Sequence, residues 1–164
     1  MNRKYVIVLI VLAVAGFAIG HMTAENHAPV SAKTAENLSS AMHGEAFAYA
    51  KYMLYAEHAR ADGNEALADL FTRTAETELT EHFAEEAELA GLVGSDENNL
   101  RESIKGETWE HEHMYPDFAS QAKAAGDTAA AARFQEIAGD EGRHRDAYQS
   151  ALDKLQAGHA EGSN

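Results

Sequence analysis

The stretch Asp140-Glu141-Gly142-Arg143-His144 decides how this chain is read. Glu141 and His144 lie three residues apart, about 300° around an α-helix, so both side chains leave nearly the same face one turn apart. A carboxylate and an imidazole converging in this way can share one metal ion. Acidic helices produce Glu-x-x-His by chance, so the pair points to a metal site only if other helices send carboxylates to the same place. The rest of the chain has to supply them.

Composition narrows what they could build. The 164 residues are enough for one domain with a core. The chain is rich in Ala and Glu, has two prolines and carries few β-branched residues beyond position 30, which specifies an all-α fold. Its formal charge of -14 is not offset by any basic patch, which argues against nucleic acid as a partner. With no Cys there is no disulfide, no thiolate nucleophile, no Cys-ligated zinc and no iron–sulfur cluster. A metal must then be held by Glu, Asp or His, a donor set that favours iron, manganese or zinc.

Asn2-Arg3-Lys4 precedes the apolar run Tyr5 to Gly20, and a polar stretch follows to Ala28. This is the pattern of a secretory signal. The run would make a helix of about 24 Å, short of the roughly 30 Å hydrocarbon core, although an uncleaved membrane anchor stays open as the alternative. Both readings place the domain in an exported, periplasmic or otherwise extracytoplasmic setting, free or anchored by residues 5–20. Cleavage after Gly20 would remove Arg3 and Lys4 and leave a charge of -16.

From residue 31 to 156 the chain reads as four helices, followed by a frayed polar tail at 157–164. The first helix is expected from about Thr34 to Ala61, the second to about Leu89, the third from near Ser95 to Ala125 and the last to about Leu155. Pro116 inside the third predicts a kink or bulge. The two halves repeat. Asn37-Leu38 and Gly44-Glu45 recur as Asn99-Leu100 and Gly106-Glu107 at an offset of 62. At an offset of 63, Phe71 matches Phe134, Glu78 matches Glu141 and Glu81 matches His144. Two helical hairpins related by a pseudo-twofold make a four-helix bundle with the matched acids facing one another inside. Each half offers one Gly-Glu on its first helix and one Glu-x-x-ligand on its second, the ferritin-like di-iron carboxylate arrangement.

Gly44-Glu45 with Tyr52, Asn99-Leu100, Gly106-Glu107-x-x-Glu110, Met114-Tyr115-Pro116 and Glu141-x-x-His144 resemble the motifs of the rubrerythrins, over about Ala35 to Leu155. The resemblance implies a ferritin-like domain holding two iron ions, with manganese or a mixed pair as the alternative metals. It implies Glu45, Glu78, Glu107, Glu141 and His144 as ligands, with Glu110 as an extra carboxylate whose repeat mate is Ala48. It also implies Tyr52 and Tyr115 as donors that hold ligand carboxylates. Two features depart from the family pattern. The register puts Glu81 where the family has a histidine, with His82 one residue further on. One residue turns a helix by about 100°, so Glu81 and His82 cannot both point the same way; the register favours Glu81, with His82 as the alternative ligand. The rubredoxin-like iron–thiolate domain of full-length members is missing along with the cysteines.

The implied activity is a non-haem di-iron peroxidase that reduces hydrogen peroxide, with electrons from a separate rubredoxin-like carrier and Glu110 moving protons. The family also implies a homodimer. Two rivals stay open on the residues alone: a ferroxidase or iron-handling protein using dioxygen or peroxide, and a metal-free exported helical interaction module. His111 and His113 read as solvated helix residues.

Overall fold

The computed structural model describes residues 30–161. The expected signal or anchor and the last three residues lie outside the described residues. All secondary structure among the described residues is helical. Helix α1 (Ala32–Ala61) is followed by α2 (Glu65–Thr77), a π-helical turn (Glu78–Phe83) and α3 (Ala84–Ala90), which together form one unbroken helical run. The second half contains α4 (Asp96–Trp109), a π-helical turn (Glu110–Met114), α5 (Tyr115–Ala125) and α6 (Thr128–Glu161).

The boundaries follow from local chemistry. Ser31, Asn64 and Ser95 each accept a hydrogen bond from a backbone N–H three residues on, capping α1, α2 and α4. Gly126 closes α5 in the left-handed conformation, φ 87°, which costs a glycine nothing. Pro116 has no N–H to give the Glu112 carbonyl, and the helix widens into its π turn immediately before that proline. The final helix continues through residues 157–161, where a frayed tail was expected. Alanine at 157 and 160 favours the helix, and Gln156 Nε2 donates to Glu97 Oε1 at 2.9 Å, holding the end of α6 to α4.

Alanine sets how close the helices come. Ala56 and Ala59 of α1 are buried, as are Ala68 and Ala75 of α2, and α1 packs along α2, the π turn and α3. In the second half α6 packs along α4, the second π turn and α5, burying Ala119, Ala138 and Leu152. Each hairpin carries the same aromatic cluster, Tyr52–Tyr55–Phe71 in one and Tyr115–Phe118–Phe134 in the other. Ring centroids lie 5.3–6.3 Å apart in the first and 5.7–6.3 Å in the second. Both hairpins of the expected bundle are therefore formed. Among the described residues, however, no helix of the first packs against a helix of the second.

Candidate metal centre

Each hairpin gathers two carboxylates and one imidazole. In the first, Glu45 of α1 meets Glu78 and His82 of the π turn; in the second, Glu107 of α4 meets Glu141 and His144 of α6. Within each trio, one ligand atom per residue lies within 4.8 Å of the others. The two trios match closely. His82 Nδ1 is 2.8 Å from Glu78 and 3.9 Å from Glu45. His144 Nδ1 is 2.8 Å from Glu141 and 3.7 Å from Glu107.

The carboxylates are paired against their own charge. The Glu45 carboxyl is pushed above its ordinary value, first by withdrawal from water and then by its hydrogen bond to Glu78 and the Glu78 charge, with His82 opposing and Glu86 adding to the rise. The Glu107 carboxyl is raised in the same way by burial and Glu141, opposed by His144 and helped by Glu110. Like charges held this close make proton retention favourable. Glu107 Oε2 is buried without a hydrogen-bond partner. A carboxylate oxygen in that position is costly unless a donor or a cation reaches it. Each trio fits a divalent cation: two carboxylates to balance its charge and one imidazole as a further ligand.

Of the expected site residues, Glu45 and Glu78 come together in one hairpin, and Glu107, Glu141 and His144 in the other. Glu110 stands close enough to raise both Glu107 and Tyr115. Burial first, then Glu110, Glu141 and Glu107, keep the Tyr115 phenol protonated beyond its usual range, so it remains a donor. Tyr52 stacks on Phe71 and lies beneath the Lys51 ammonium, 4.8 Å from the ring centroid.

Glu81 is not where the register put it. The structure brings His82 to Glu45 and Glu78 and leaves Glu81 exposed. At 3.6 residues per turn His82 would face away, but the π turn Glu78–Phe83 takes up one extra residue and carries it back to the Glu78 face. The repeat offsets contain the sign of this. They pass from 62 at Glu107 to 63 at Ala122, across the second π turn, and return to 62 between His82 and His144, across the first.

His111 also departs from expectation. It is half-buried rather than solvated, and its Nδ1 donates to the Ala138 carbonyl at 2.6 Å. Its ring lies on Gly142, where a Cβ would sit 2.9 Å from His111 Cε1. The glycine between Glu141 and His144 thus leaves room for an imidazole from the facing helix.

The family model for rubrerythrin matches residues 36–152. Rubrerythrin from Porphyromonas gingivalis is 34% identical over 154 residues, covering 86% of this chain and 76% of that protein. Rubrerythrin-1 from Clostridium acetobutylicum is 34% identical, covering 76% of this chain and 72% of its own. Nigerythrin from Nitratidesulfovibrio vulgaris is 32% identical over 150 residues, 84% of this chain and 74% of that one. Among solved structures, fully reduced, all-ferrous nigerythrin matches at 31% identity and a TM-score of 0.40, over 83% of this chain and 73% of that one.

Proposed function

Because the chain belongs to the rubrerythrin family, we propose that it is a non-haem di-iron peroxidase that reduces hydrogen peroxide to water. The observation that carries this reading is the matched pair of Glu-Glu-His groups. Glu45, Glu78 and His82 would hold metal from the first hairpin, and Glu107, Glu141 and His144 from the second, with Glu110 as a further carboxylate. Iron held there would supply the two electrons needed for O–O cleavage, and a separate rubredoxin-like carrier would restore them.

The chain's own residues then handle protons and orientation. Two protons are needed to turn the two peroxide oxygens into two waters, and Glu110, beside Glu107 and Tyr115, is the carboxylate placed to pass them. The Tyr115 phenol keeps its proton, so it can donate a hydrogen bond to a neighbouring carboxylate and hold it in place. On the sequence of residues 2–20, we place this chemistry outside the cytoplasmic membrane. The experiment is anaerobic: load the protein with ferrous iron and add peroxide. One peroxide consumed per metal pair, with the iron staying at two per site, is the expected result. Iron accumulating well beyond two per chain with little peroxide turnover would establish iron handling instead.

A further inference from the structure

Glu110 sits at the mouth of a widened turn. Its carbonyl accepts from the Tyr115 N–H five residues on, and Pro116 just beyond has no N–H to give. A turn that has left the regular ladder and meets a proline has fewer bonds of its own to hold one shape. Resting on the metal reading above, we propose that His111 is a positioning residue. It pins this turn to α6 and so sets where the Glu110 carboxylate stands against Glu107, Glu141 and His144.

A hydrogen bond between the helices is the first observation. His111 Nδ1 donates to the Ala138 carbonyl of α6 at 2.6 Å, 27 residues away in sequence. Neighbouring side chains bond along their own helix instead, as Thr108 does to Ile104 and Arg143 to Gly139. A backbone carbonyl inside a helix has no rotamer to change, so it makes a firmer anchor than a side chain would. Ala138 lies three residues before Glu141, on the same face of α6.

The seat of the ring is the second. Gly142 is buried, and a Cβ there would lie 2.9, 3.0 and 3.3 Å from His111 Cε1, Nδ1 and Nε2. The imidazole therefore rests against backbone that runs between two ligands, Glu141 one residue before and His144 two residues after. Bond and seat hold the ring at two points on α6. Glu110, the adjacent residue, then has little freedom to withdraw.

The third is what the repeat omits. At an offset of 62, Glu110 corresponds to Ala48 and His111 to Tyr49. Gly142 corresponds to Thr80 at that offset and to Leu79 at 63. The carboxylate, the imidazole and the glycine that seats it are thus absent together from the other hairpin. A bond that merely tied two helices would be as useful in either half.

The test is a double-mutant cycle on the full-length chain, read as ferrous iron affinity by competition with a chelator. His111→Leu keeps a filling on Gly142 and a good helix former in the turn but donates nothing, and His111→Ala controls for crowding. His111→Asn puts an amide N–H near the place of Nδ1. His111→Leu should weaken iron binding about ten-fold, Glu110→Ala by a similar factor, and both together no more than Glu110→Ala alone. His111→Asn should recover most of the loss. A purely structural bond gives another pattern, in which the loss on His111→Leu persists in the Glu110→Ala background. That persistence, or unchanged affinity in either single variant, overturns the proposal. The visible bands of the cobalt-loaded protein give a second readout. His111→Leu and Glu110→Ala should shift them alike, and a wild-type spectrum in His111→Leu overturns the assignment. A wild type that binds neither metal sinks the metal reading and this proposal with it; a wild type that binds iron no better than His111→Leu sinks this proposal alone.

Discussion

At Gly142 a single methyl group would upset the fit between two helices. An alanine there gains up to about 1 kcal/mol in helix propensity, but it would press its Cβ against the His111 ring. Crowding of this kind typically costs about 1–3 kcal/mol, so Gly142→Ala should lower stability by about 1–2 kcal/mol in urea unfolding. In a His111→Ala background the same change should become stabilising. A second residue-scale outcome separates the neighbours at 81 and 82. Glu81→Gln should leave bound iron unchanged, whereas His82→Gln should weaken binding at least about ten-fold, read by metal analysis after dialysis. The meeting of Glu45 with Glu78, and of Glu107 with Glu141 and His144, was legible in the sequence because an even helical repeat puts each set on facing helix surfaces. His82 was not, since a wheel drawn at 3.6 residues per turn rotates it away. His111 was not either, because its half-buried place depends on a gap left by a glycine 31 positions further on.

The elements themselves were largely written in caps and breakers. Four helical stretches follow from Ser31, Asn64, Ser95 and the glycine stops, and Pro116 announced a disturbance in the third. What the sequence did not state was that the disturbances are π turns that re-aim side chains. The first can be removed. Deleting Thr80 should return Glu78–Phe83 to an ordinary α-helix and leave the histidine three residues from Glu78, as His144 is from Glu141. Iron binding should then survive with at most a few-fold change, while an alanine inserted at the matching place in α6, after Arg143, should lower it sharply. Loss of binding on the deletion would show that the widened turn does more than keep register.

For the whole molecule, the opposed carboxylates set a pH dependence. Glu45 and Glu107 hold their protons more tightly when folded than the ordinary glutamate value of 4.5. Their contribution to stability is therefore full below about pH 4.5 and is lost as pH rises through the raised folded values. Glu97, lowered by hydrogen bonds from Arg101 and Gln156, works in the opposite sense, gaining above that value and losing in acid. The metal-free Glu45→Gln/Glu107→Gln variant should therefore gain on the wild type in thermal melts as pH goes from 4 to 7. At this scale the repeat made the two hairpins legible but not their separation, because a repeat states that two halves are equivalent and says nothing of whether they pack on each other.

The separation of the hairpins also governs how the chain folds. Since packing among the described residues runs only within each hairpin, every helix meets partners at most about sixty residues away, mostly joined through a turn of two or three residues. Contacts this local close quickly, so each hairpin zips up independently of the other in the microsecond to millisecond range. The order in which the two halves leave the ribosome then has little bearing on success. Stopped-flow helicity should therefore saturate no later than the partly exposed aromatic clusters report.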